Sequence, residues 1–193
     1  MFRQTNEFIR RAHDCACRHG FHDVELSVEH CMMLVITEVG EMVEADRCGR
    51  SSDSVAFKKF ILDSSAEDGG YFWRDCFLAH VKDTVEDEMA DVMIRLYDTC
   101  GAFGITFTDD TLGISMEEDY AGVANRSFTE KAFMLCGMLC CVNSGDYSLE
   151  VVIGSALNFV ECWAKDMGID LRWHVESKML FNETRSSRHG KSY

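Results

Sequence analysis

Proline is absent from all 193 residues, so no ring breaks a helix and no X-Pro bond adds a slow isomer. No apolar run approaches the roughly 20 residues that a membrane-spanning helix needs. The opening MFRQTNEFIRR has no apolar signal-like segment, so the expectation is a cytoplasmic chain. Positive charge is also scarce: 19 Lys and Arg stand against 33 Asp and Glu, a formal net charge of −14. Such a polyanion is repelled by nucleic acid and by anionic lipid, which argues against DNA, RNA or a membrane as partner. A small anion would bind only beside local positive charge or a bound cation.

Cysteine, by contrast, is plentiful, with ten residues. Cys31, Cys100, Cys136, Cys140, Cys141 and Cys162 lie in apolar helical stretches, where free cysteine acts as a small hydrophobe. Cys15, Cys17, His19 and His22 are the dense Cys/His cluster. Their spacing matches no common zinc pattern, so the expectation is a plain first helix ending at Gly20.

Strand-like alternation is scarce and helical periodicity recurs, which predicts an all-α bundle forming a single domain over 1–193. Helices are expected over 2–19, 28–47, 83–103, 128–142, 148–167 and 171–186. A variable stretch, 49–82, holds an amphipathic segment at 55–62 and an aromatic one at 71–78. Residues 106–125 read as loop with broken helix.

Two acidic pairs stand out. Cys31, Leu34, Val35, Met42 and Ala45 make one apolar face, with Glu38 in its middle and Glu41 at its edge one turn on. A glutamate among apolar neighbours is costly to ionise without compensation. Glu88 and Asp91 form a second one-turn pair, bordering the apolar arc of Val81, Val85, Met89, Val92 and Leu96. Asp87, Arg95 and Asp98 share their arc. Two bare carboxylates ~4 Å apart repel by about 4 kcal/mol at an effective dielectric of 20. If the helices pack side by side, a divalent cation relieves this, and hard oxygen ligands select Mg²⁺ or Mn²⁺. A di-iron centre would need Glu-x-x-His pairs, and no histidine here has a glutamate three residues before it.

A local basic island sits near the end of the chain. Lys178, Asn182 and Arg185 share one helix face, followed by Arg188, His189, Lys191 and Tyr193. Lysine and arginine there suit phosphate oxygens, and asparagine suits a phosphate or a base or sugar edge. The same cations also suit a helix C-terminus. Tyr71, Phe72 and Trp73 are candidates for stacking on a base, though such aromatics are more often core.

Together these segments resemble the MazG-like, all-α NTP pyrophosphohydrolase superfamily, which includes dimeric dUTPases and phosphoribosyl-ATP pyrophosphohydrolases. The resemblance rests on TEVGEMVEADR with Glu38 and Glu41, VEDEMADVMIRLYD with Glu88 and Asp91, and ESKMLFNETRSSRHGKSY with Lys178, Asn182 and Arg185. It covers most of the chain, thinly outside these motifs, and the gap between the acidic motifs is longer than is usual. It implies Mg²⁺-dependent hydrolysis of a nucleoside triphosphate to monophosphate and pyrophosphate by metal-activated water. It implies Glu38, Glu41, Glu88 and Asp91 as metal ligands, and Lys178, Asn182 and Arg185 toward the phosphates. Glu41 and Glu44 remain alternative water-orienting residues. It also implies a homo-oligomer, with a dimer favoured. The alternatives are a catalytically weak nucleotide- or metal-binding protein and a helical interaction protein on the same bundle.

A further expectation is a degenerate repeat relating residues 28–105 and 129–169, against the alternative that two amphipathic helix pairs look alike by chance. VEHCMML at 28–34 resembles TEKAFML at 129–135, and LYDTCGAFGI at 96–105 aligns without gaps with VECWAKDMGI at 160–169. Glu38, Glu41, Glu88 and Asp91 then fall opposite Leu139, Val142, Val152 and Ser155, so the second copy lacks the acids. The expectation is a second helix pair that covers the first.

Overall fold

With no proline to end them, the helices are bounded by side-chain caps and glycine turns. The computed structural model describes residues 2–63, 69–108 and 120–187. Among these there is no strand, and the fold is all-α. The helices are α1 (Phe2–Arg18), α2 (Val28–Arg47), α3 (Ser54–Asp63), α4 (Gly69–His80), α5 (Val85–Ala102), α6 (Phe128–Cys140), α7 (Leu149–Asp166) and α8 (Leu171–Glu183). Ser27 caps α2, Thr84 caps α5, and Ser127 with Glu130 forms a capping box at α6. None of the described helices is long and apolar enough to cross a membrane. The tail residues Arg188, His189, Lys191 and Tyr193, and most of the expected loop at 106–125, lie outside the described residues.

Helix α5 is the axis of the molecule. It packs against α1, α2, α7 and α8, while α6 packs on both α2 and α7. One apolar cluster runs through all six, with Val35, Met42, Met89, Leu96, Leu135, Ile153 and Trp163 at its centre. This is why α5 buries residues all around its circumference, Asp87 and Glu88 included.

Within the variable stretch at 49–82, the amphipathic and the aromatic segments fall in α3 and α4. α3 and α4 pair and set Phe57, Phe77 and Val81 with Phe181 of α8 in a second small apolar cluster. The hairpin is clamped at its base: Asp53 N donates to His80 O (2.9 Å) and Val85 N to Arg50 O (3.1 Å). The extra length therefore leaves α2 and α5 side by side. Trp73 stacks on Phe77 at 5.3 Å, and Phe72 packs on the same cluster. Phe72 and Trp73 thus have a core role, and the side chain of Tyr71 lies outside the described residues.

The second helix pair lies against the first, α6 on α2 and α7 on α5. Both helix pairs end alike. Gly104 (φ 66) and Gly168 (φ 72) adopt the left-handed region, and the following isoleucine amide reaches back to the helix. Ile105 N donates to Cys100 O (2.8 Å) and Ile169 N to Ala164 O (2.9 Å), at aligned positions. Leu139 and Val152, opposite Glu38 and Glu88, are buried apolar residues.

Helix α1 approaches α5 closely at Gly101, where an added methyl would lie 2.3 Å from Cβ of His13. Such overpacking costs about 1–3 kcal/mol, against about 1 kcal/mol that alanine gains in helix propensity. Gly101→Ala is therefore expected to lower the melting temperature. A higher melting temperature would show that α1 can retreat at no cost.

Candidate functional site

Glu38 faces α5 from within the apolar stripe of α2, and Glu88 and Asp91 face α2 from the first turns of α5. Carboxylate oxygens of the three lie within 4.8 Å of one another. Glu88 belongs also to a second triad, with Asp83 and Asp87. Asp83 takes the left-handed conformation (φ 62), which aspartate tolerates better than most residues, and its amide donates to Asp87 Oδ2 at 3.0 Å.

Three cations sit on these acids. Arg95 Nε donates to Glu38 Oε1 at 3.0 Å. Lys82 contacts Asp83, and its Nζ lies 3.5 Å from Asp87 Oδ2 and 3.6 Å from Glu88 Oε1. Lys178 Nζ lies 2.6 Å from Asp87 Oδ2 and 2.7 Å from Asp91 Oδ2, with no exposed side-chain surface. Burial works against the Lys178 charge, but Asp91, Asp87 and Glu88 outweigh it and hold the proton more firmly than usual.

The compensation is incomplete at Glu88. Its residue is 3% exposed, and Oε2 has no hydrogen-bond partner. Burial is the main reason that its pKa is pushed up to about 8. Asp87 is raised too, chiefly by burial, and its Oδ1 is likewise unpartnered.

A cleft of about 210 Å³ opens over the first triad, lined by Glu38, Glu41, Asp91, Lys82, Asn182 and Arg185, with Phe21 and Met179 among its apolar walls. Asn182, on α8, is 8% exposed, and its Oδ1 also lacks a partner. Carboxylate and amide oxygens in one partly shielded recess are the donor set that Mg²⁺ or Mn²⁺ takes, and unpartnered buried oxygens are what a cation would satisfy. The residues therefore fit a hard divalent ion.

The expected residues thus separate. Glu38, Glu88 and Asp91 converge, and Glu41 stands at the exposed rim of the same cleft. Glu44 turns outward and pairs with Arg47 Nη1 at 2.9 Å, so of the two alternatives only Glu41 lines the cleft. Asn182 and Arg185 line it, whereas Lys178 is sunk beneath the acids. The expectation has Lys178 facing the phosphates; here its ammonium contacts Asp87 and Asp91 instead of lining the cleft. Lys82, from the hairpin, is the lysine that reaches the cleft. Sequence reasoning missed Lys82, and it read Asp87 and Arg95 only as neighbours on a polar arc.

The class that fold and site define is an all-α bundle with an acidic cleft between two helices, rimmed by cations. Comparison with protein families, with curated proteins and with solved structures finds no match.

Proposed function

We propose that this protein hydrolyses a nucleoside triphosphate to the monophosphate and pyrophosphate. The observation that carries the reading is the cleft itself, where Glu38 and Asp91, with Glu88 beside them, face Lys82, Asn182 and Arg185. Supporting it is the resemblance of the three motifs to the MazG-like superfamily. Glu38, Glu88 and Asp91, with Glu41 at the rim, would hold Mg²⁺. When bound, that ion supplies Lewis-acid polarisation of phosphate oxygens and makes a water easier to deprotonate.

The chain's own residues supply the rest. Glu41 is placed to accept a proton from water at the solvent side of the cleft. Arg95 fixes the Glu38 carboxylate by its 3.0 Å contact. Lys82 and Arg185 bring positive charge to a recess that otherwise repels a polyphosphate, and Asn182 offers amide N–H groups to it. Phe21 and Met179 form an apolar wall suited to a base or sugar.

A second reading is favoured by the three cations already seated on the acids: an ion-pair network that only holds helices together, within a binding or interaction protein. One experiment separates the two. Canonical and modified dNTPs and NTPs are supplied with Mg²⁺, pyrophosphate and orthophosphate are assayed separately, and the reaction is repeated in ¹⁸O-water. Pyrophosphate release with label in the monophosphate is expected. Orthophosphate as first product, label in pyrophosphate, or no turnover of any triphosphate would overturn the proposal.

A further inference from the structure

A different cluster lies at the far end of α1 from the N-terminus. His13 and Cys17 are one turn apart on that helix, and His22 follows in the turn after it. Ligand atoms of the three lie within 4.8 Å of one another, and the two imidazole rings sit 4.6 Å apart, edge to face. Asp98 of α5 organises them. His13 Nδ1 donates to Asp98 Oδ1 at 3.0 Å, and His22 Nε2 donates to the same oxygen at 2.7 Å. Burial works against charge on Asp98, but the hydrogen bonds from His13 and His22 outweigh it and hold the carboxyl below its usual range.

These two bonds fix both tautomers. With Nδ1 of His13 and Nε2 of His22 protonated toward Asp98, the lone pairs of His13 Nε2 and His22 Nδ1 are left for another partner. A carboxylate behind a histidine is the usual outer partner of a metal-bound imidazole. The remaining contact is metric. Cys17 Sγ lies 3.5 Å from His13 Nε2. Two ligands on a tetrahedral zinc ion, one nitrogen at about 2.05 Å and one sulfur at 2.3 Å, stand about 3.6 Å apart. The sulfur and nitrogen are already spaced as two corners of such a site. Cys17 is exposed, so an ion has a path of entry and a solvent-facing fourth position.

We propose that His13, Cys17 and His22 form a zinc site oriented by Asp98, which also lines the acidic cleft, with a ligand set distinct from the acids there. The donor set is two neutral nitrogens and a thiolate, which prefers zinc to magnesium. Binding releases the Cys17 thiol proton to solvent, and His13 binds in its neutral form against the hydrogen bond to Asp98, which favours its protonated ring. The ion ties the end of α1 and the turn carrying Phe21, a wall of the acidic cleft, to α5.

The sequence cluster pointed elsewhere. Of its four members, Cys15 and His19 turn away: His19 lies 2.8 Å from Cys15 O and 3.1 Å from Arg185 O. His13 takes their place.

The test uses the full chain under a non-thiol reductant, with Co²⁺ as spectroscopic probe and Zn²⁺ titrated against a chromophoric chelator. One Co²⁺ per chain should give tetrahedral visible bands and a thiolate-to-cobalt charge-transfer band in the near ultraviolet. Co²⁺ held only by carboxylates gives no such charge transfer, and C17S separates the proposed site from Cys15 in the wall of the acidic cleft. C17S, a change at an exposed position, should lose the charge-transfer band. H22Q should weaken Zn²⁺ binding, and D98N should weaken it by about 10–100-fold. Far-ultraviolet dichroism checks that each variant keeps its helices, and any that loses them is replaced by H13Q. A band that persists in C17S places cobalt on another thiol and overturns the proposal. So does its absence from the parent protein, which would leave His13 and His22 as hydrogen-bond donors to Asp98 alone.

Discussion

Glu88→Gln is expected to abolish the response of this protein to Mg²⁺ and to cut triphosphate turnover by about 100-fold or more, the equivalent of ~2.7 kcal/mol in the barrier. Glu88 joins both acid triads, and its buried Oε2 has no partner. A cation at 100 times its dissociation constant adds about 2.7 kcal/mol of stability, a rise in melting temperature of about 5–10 °C for a chain of this size. Glutamine keeps the shape but loses the charge that draws the ion. Without Mg²⁺, the variant should be close to the parent in stability, because a carboxyl whose pKa is pushed up to about 8 is already mostly neutral at pH 7. Thermal melts with and without Mg²⁺, run beside the turnover assay, check both parts. A variant that still gains stability from Mg²⁺ would take Glu88 out of the site.

Lys178→Met should be the most destabilising single change in the site, by about 3–5 kcal/mol. Its ammonium is fully buried between Asp87 and Asp91, and methionine fills the space without the charge. Asp87, itself buried, then keeps the Asp83 amide at 3.0 Å and, as a cation, Lys82 at 3.5 Å. The double variant Lys178→Met with Asp87→Asn should recover part of the loss, since the stranded carboxylate goes with its partner. Denaturant unfolding of the parent, both single variants and the double variant measures the coupling. Unchanged stability with impaired turnover in Lys178→Met would return this lysine to the substrate.

The acids of the cleft were legible because they break a pattern. Glu38 is polar where the 3.6-residue period demands apolar, and Glu88 and Asp91 repeat its one-turn spacing. The helical wheel also found the face shared by Lys178, Asn182 and Arg185. It did not show what lies over that face. Lys178 meets two carboxylates 91 and 87 residues away in the chain (178 − 87 and 178 − 91), and periodicity within one helix carries no information about them. Lys82 escaped notice for a related reason: it lies in a loop, where no period exists, and α3 and α4 deliver it.

What the sequence determined by itself is therefore local. Helical period, the absence of proline, the capping serines and threonine, and the Gly-Ile endings of the two helix pairs specify an all-α chain, because each acts through neighbours within a few residues. The acidic pairs belong to the same level. Only the tertiary structure decided which polar residues are solvated. α5 is enclosed by α1, α2, α7 and α8, so Asp87, Arg95 and Asp98, which on a wheel share an arc suited to water, become partners of Lys178, Glu38 and the two histidines. Burial and charge pairing depend on what every surrounding helix brings to a point, and those helices come from all along the sequence.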